Sequence, residues 1–215
     1  MALSLYFLPL ASYCWKVLIA LYENETPFEP QLVDFGNAEQ REAFFKIAPL
    51  GKFPVVRDDA SGRLVYESTS IIEYLALHHP GRAALVPADG DAALEVRAQD
   101  RFFDLQIHEP MQKHVGDKLR PADKRDPYGV EQAHAQLEKA YGILENTLTG
   151  RTWAAGETFS MADCAAAPAV YYANLVHPIG ATYERVASYL KRLEARPSFA
   201  RVIAEAQPYF SMFPG

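Results

Sequence analysis

Hydrophobic and polar positions along the chain change period twice, and those changes divide it. Leu3 to Leu8 is a short apolar run that reads as a strand, and the first residues read as that strand rather than as a leader because they lack a basic segment. From about Tyr13 the period becomes helical, with Val17, Leu18 and Leu21 on one face. Phe28 to Val33 reads as a second strand, and Glu39 to Lys46 as a short helix in a polar connection. Val55-Val56-Arg57, the polar turn Asp58 to Gly62, and Leu64-Val65-Tyr66 form a hairpin. Ile71, Ile72 and Leu75 then recur at helical spacing, so Glu67-Ser68 opens a helix with Ser68 as the expected cap.

After Pro80-Gly81 and the stretch Pro87 to Asp91, strand signals vanish. Ala92 to Val115 reads as one long helix bent at Pro110. Val130, Ala133, Leu137, Tyr141, Leu144 and Leu148 make a stripe at spacings of three and four. Tyr183 to Ala195 is a further amphipathic helix, and Pro197 stands where a last one begins. Ser160-Met161-Ala162-Asp163 has the form of a capping box, the helix start in which first and fourth residues satisfy each other's free groups. The fold class expected is an α/β thioredoxin-like domain over residues 1–80, a linker over 81–91, and an all-helical domain over 92–215.

Composition narrows the function. The 215 residues carry a net charge of -6 with the signs interspersed, which disfavours nucleic acid as a partner. Two cysteines, Cys14 and Cys164, are too few for a disulfide scaffold and fit a reducing, cytoplasmic setting. No apolar run has membrane-spanning length, and the six histidines lack metal-ligand spacing, so neither membrane nor metal is expected.

The candidate chemistry lies between Ala48 and Leu75. A helix start at Glu67-Ser68 offers unpaired backbone N–H groups to a carboxylate, and Glu67 offers a partner for an ammonium. Together they suit the α-amino-acid end of a small peptide. Pro54 opens a strand, and a cis Phe53-Pro54 bond would turn the Phe53 backbone toward a ligand, while Lys52 is placed for a second carboxylate. Taken singly, the same residues also describe a plain hairpin and a capped surface helix.

The run Gly51-Lys52-Phe53-Pro54-Val55-Val56, followed by Glu67-Ser68-Thr69-Ser70-Ile71-Ile72-Glu73-Tyr74-Leu75, resembles the glutathione-binding signature of the cytosolic glutathione transferases. The Ser160 to Asp163 box resembles the capping motif of that family's sixth helix. The resemblance implies glutathione as co-substrate, bound by Lys52, Phe53, Pro54, Glu67 and Ser68. It also implies a homodimer and conjugation of the thiolate to small hydrophobic electrophiles.

Many family members carry Ser or Cys six residues before the valine that stands here at 17; this chain has Ala11. Ser12, at the expected helix start, is the first choice to support the thiolate, ahead of Tyr6 on the first strand and Cys14 in the first helical turn. Ser12 reads equally as a cap, Tyr6 as a core aromatic and Cys14 as a small buried side chain. Ala11-Ser12-Tyr13-Cys14 also resembles the dithiol site of glutaredoxins without its attacking cysteine, which leaves a monothiol variant through Cys14. Phe102, Phe103, His108 and Met111 are candidates for the electrophile site, or core residues of the long helix, and the tail Pro208 to Phe213 folds over the same cleft or docks on the surface. A zeta-like isomerase and a non-catalytic binding module are the alternative functions.

Overall fold

The computed structural model describes residues 3–214. The outermost ends of the expected divisions, residues 1, 2 and 215, lie outside them. The first half runs β1 (Leu3–Phe7), α1 (Ser12–Glu23), β2 (Glu29–Leu32), α2 (Ala38–Ile47), β3 (Val55–Asp58), β4 (Arg63–Tyr66) and α3 (Ser68–His78). The strands form one sheet in the order β2-β1-β3-β4, with β1 parallel to β2 and antiparallel to β3. Leu5 faces Val56 across the centre of the sheet, and both are buried. This is the thioredoxin-like arrangement. β2 is shorter than the pattern predicts and exposed throughout, because it is an edge strand that needs no two-sided burial and tolerates Pro30.

The second half is helical: α4 (Gly90–Phe102), a π-helical turn over Phe103–His108, α5 (Glu109–Lys118), α6 (Pro127–Thr147), α7 (Met161–Val176), α8 (Glu184–Glu194) and α9 (Pro197–Ala206). The irregularity in the long helix sits before Pro110 rather than at it. Pro110 has no N–H, and its ring would meet the carbonyl four residues back; the wider turn over 103–108 takes up that conflict.

A single apolar cluster runs from Leu3 through α1 and α3 to Ala206, across the stretch 81–91. Trp15 of α1, fully buried, stands against Tyr171, Tyr172 and Phe199 at ring-centre distances of 4.8 to 5.9 Å. A smaller cluster of Val33, Phe44, Ala48 and Val55 fills the other side of the sheet. Asp163, fully buried, accepts hydrogen bonds from the Ser160 N–H and hydroxyl, the Ala154 N–H at 2.9 Å and the Tyr189 hydroxyl at 2.6 Å. The capping box is therefore also the fastener between α7, the loop before it and α8.

Candidate functional site

The first turn of α3 opens on a cavity of about 880 Å³ between the sheet-bearing half and α4. Ser68, Thr69 and Ser70 all line it. The first intrahelical bond runs from Ile71 N–H to the Glu67 carbonyl at 2.9 Å, so the N–H groups of those three residues are free of helix partners. The capping position belongs to Glu67 rather than to Ser68, which is the first helical residue. Glu67 has φ 62, ψ 121, the left-handed side of the map that a non-glycine residue occupies only when its surroundings hold it there. Its side chain lines the same cavity.

Lys52, Phe53 and Pro54 form the facing wall, and the Phe53-Pro54 peptide is cis. The Phe53 ring is stacked on Phe44, 4.1 Å between centres and 7° between planes, and set edge-on to Phe35. The loop that carries this wall turns at Gly51, whose φ is +64; a Cβ there would lie 2.8 Å from the Phe45 ring.

The structure thus brings Lys52, Phe53, Pro54, Glu67 and Ser68 to one cavity. None of the three thiolate candidates, Ser12, Tyr6 and Cys14, lines it. Ser12 is the first residue of α1, with Ala11 at the capping position and no side-chain cap, so the expectation that Ser12 caps the helix is not met. Ser12 is buried, and it is its neighbour Tyr13 that lines the cavity. Burial, together with the negative charge of Asp104 and Glu109, pushes the Tyr13 hydroxyl well above the ordinary phenol range, so it stays protonated and able to donate. Tyr6 packs in the smaller core, 6.2 Å from the Phe44 ring centre. Cys14 is fully buried and burial pushes its thiol up to about 12, which removes it as a nucleophile near neutral pH.

Three of the four electrophile candidates are buried in the core, and the fourth, Phe102, is half-buried against it. Phe103, Met111 and His108 are 0%, 2% and 6% exposed, and the cavity's helical wall consists instead of Arg97, Asp100, Arg101, Asp104, Leu105 and Glu109. Five of those six, all but Leu105, are charged and recur at helical spacing, a polar stripe that the aromatic pattern overshadowed. His108 lies 4.2 Å behind the Tyr13 ring, its Nδ1 buried without a partner. Burial and the nearby Lys16 lower its pKa to about 4, so it is a neutral imidazole. The tail docks on the surface: Phe210 meets Trp15 and Tyr171, and Phe213 meets Tyr172.

Among the described residues no helix is long and apolar enough to cross a membrane, and no group of three or more acidic, histidine or cysteine side chains is arranged to hold a metal ion.

Comparison with known proteins agrees with this geometry. Residues 5–83 match the family described as glutathione S-transferase, N-terminal domain, and residues 127–200 match glutathione S-transferase, C-terminal domain. The chain is 32% identical over 174 residues to a glutathione S-transferase-like protein, LUC7, of a Fusarium species, covering 79% of this chain and 76% of that one. It is 27% identical to the disulfide-bond oxidoreductase YfcG of Escherichia coli, over 95% of this chain and 96% of the relative. A crystal structure of a glutathione S-transferase from Methylobacillus flagellatus with glutathione bound superposes with a TM-score of 0.83 at 25% identity, covering 93% of this chain and 98% of that one. The chain belongs to the cytosolic glutathione S-transferase superfamily.

Proposed function

We propose that the protein binds glutathione in this cavity and conjugates its thiolate to a small electrophile. The observation that carries the reading is the strained Glu67 at the start of α3, which puts a carboxylate and three free backbone N–H groups into one cavity with Lys52 and the Phe53-Pro54 wall. Glu67 takes the ammonium of the γ-glutamyl end and the α3 N-terminus takes its carboxylate. The Phe53 backbone pairs with the cysteinyl unit, and Lys52 meets the glycine carboxylate. The N-terminus of α1 faces the sulfur with Ser12 and Tyr13 as its hydroxyls, and lowers the thiol's pKa by favouring the anion. The sheet-bearing unit 1–80 supplies the glutathione side and the helices after the 81–91 connection supply the other wall. The working form is a homodimer.

Calorimetry tests the assignment. Wild-type protein should bind glutathione, and Glu67→Ala should bind it about tenfold or more weakly, since a charge-assisted hydrogen bond is worth about 1.5–3 kcal/mol. Equal affinity in the variant refutes this site. Turnover of a chromogenic aryl halide then separates an enzyme from a non-catalytic binding module.

A second reading uses the same bound thiolate. Both protein cysteines are fully buried with thiols pushed upward in pKa, so a disulfide exchanged by this protein would be attacked by glutathione itself. The new S–S bond would form between glutathione and one sulfur as the other leaves as a thiolate. Retention of disulfide reduction in Cys14→Ala with Cys164→Ala would support it; loss would oppose it.

A further inference from the structure

One lysine is buried at the back of the cavity. Lys16 lies on α1 amid Trp15, Val17 and Leu18, and it is 1% exposed. An ammonium has three donors; here two make hydrogen bonds, and a second carboxylate oxygen stands close by as an ion pair without a hydrogen bond of its own. Lys16 Nζ is 2.6 Å from Asp100 Oδ1 and 2.9 Å from Asp104 Oδ2, and it donates at 2.9 Å to the Thr69 hydroxyl. Thr69 in turn donates to Asp100 Oδ2 at 2.8 Å and accepts from Arg101, which also pairs with Asp100 and Asp104. Two cations and two carboxylates close on themselves with no charge left over, as burial of charged groups requires.

The elements joined are the informative part. Thr69 is the second residue of α3, next to Ser68 and two from Glu67. Asp100 and Asp104 lie on the long helix, and Lys16 lies on α1 one turn beyond Tyr13. Lys16 does not itself line the cavity, whereas Thr69, Asp100, Arg101 and Asp104 do. We propose that Lys16 is a positioning residue for glutathione: it holds the first turn of α3 at a set distance from the start of α1, so that one peptide can reach both helix ends. The proposal rests on the glutathione reading of this cavity.

The test compares wild type, Lys16→Met and the double variant Lys16→Met with Asp100→Asn, using calorimetry with glutathione, thermal melts and steady-state kinetics. The proposal expects Lys16→Met to weaken glutathione binding about tenfold. KM for glutathione should rise, while kcat at saturating glutathione stays within about twofold, because the residue touches no reacting atom. The double variant removes one charge of each sign. It should regain thermal stability but keep the weakened affinity, since Thr69 is still untied from α1. If Lys16→Met does not fold, Thr69→Val serves in its place; it leaves the Lys16 carboxylate pairs intact and should also raise the glutathione KM. A lower melting temperature with unchanged glutathione affinity would make Lys16 a stabilising residue only and overturn the proposal. Wild-type protein that fails to bind glutathione would instead overturn the reading of the cavity on which it rests.

Discussion

Lowering the pH should destabilise this protein through one histidine. His108 is 6% exposed, and its pKa falls from 6.5 to about 4 because burial, and next the positive charge of Lys16, disfavour the imidazolium. The folded-state value is depressed, so the stability it contributes is present above 6.5 and is lost as pH falls toward 4. Across that window the unfolded chain takes up a proton that the folded chain refuses. Each pKa unit is about 1.36 kcal/mol, so the interval between 6.5 and about 4 amounts to about 3 kcal/mol. That is a sizeable share of a typical stability of about 5–15 kcal/mol.

The assay is urea unfolding from pH 7.5 to 4, at one protein concentration so that subunit association does not enter. His108→Phe is the control. It keeps an aromatic ring against Tyr13, removes the titrating group, and removes the unpartnered Nδ1, whose burial costs about 1–3 kcal/mol. The pKa values of His114 and His134 are also lowered, by burial first and next by His134 in the case of His114 and by His177 in the case of His134, so both proteins lose stability on acidification. Only the difference between them reports His108. The wild type should lose about 3 kcal/mol more than His108→Phe between pH 7 and pH 4. Parallel curves would refute the reasoning, because they would mean that His108 accepts its proton in the folded state at an ordinary pH.

Three other outcomes follow from particular contacts. Asp163→Ala leaves four donors unsatisfied in the core and should cost about 3–5 kcal/mol, measured by denaturant midpoint, with little change in the glutathione KM of whatever fraction folds. Gly51→Ala forces a side chain to φ +64 and against the Phe45 ring, so it should destabilise by about 1–2 kcal/mol and weaken glutathione binding by displacing the wall at Lys52–Pro54. Ser12→Ala and Tyr13→Phe, compared on one pH–rate profile, identify the hydroxyl that supports the thiolate. Its removal should raise the bound thiol's pKa by about one to two units, and an unmoved midpoint in both would assign the task to the helix N-terminus alone.

Local sequence carries local structure well here, and the exceptions are informative. Helical periodicity places α6 and α8 because a 3.6-residue period survives any tertiary context that buries one face, and Pro197 marks the start of α9. The hairpin and the helix start were legible because turn chemistry and a helix start are properties of adjacent residues, whereas residues 52–54 and 67–68 stood out as a set through the family resemblance. The two caps were misplaced by one residue, to Ser12 and Ser68, because side-chain preference pointed there. A capping position is defined by backbone dihedrals, and these put Ala11 and Glu67 in it without a side-chain bond from either. In the long helix the large apolar side chains drew attention to Phe103 and Met111, yet apolar size selects the core, and the cavity takes the mostly polar side chains that remain.

The Lys16 junction was invisible for a different reason. Its partners lie more than fifty residues away on α3 and more than eighty away on the long helix, and no local window contains both ends. One signal was nevertheless present. From Cys14 to Leu21 every residue of α1 is buried, so the helix is apolar all round and Lys16 has no solvent face to reach. A charge in such a position requires a counter-charge from elsewhere in the fold. In a chain whose second half supplies two aspartates one helical turn apart, at Asp100 and Asp104, the i, i+4 spacing that brings both carboxylates to one point is the feature that answers it. A lone lysine inside an apolar helix is therefore itself a long-range contact prediction, and in this protein that contact crosses the wall of the candidate site.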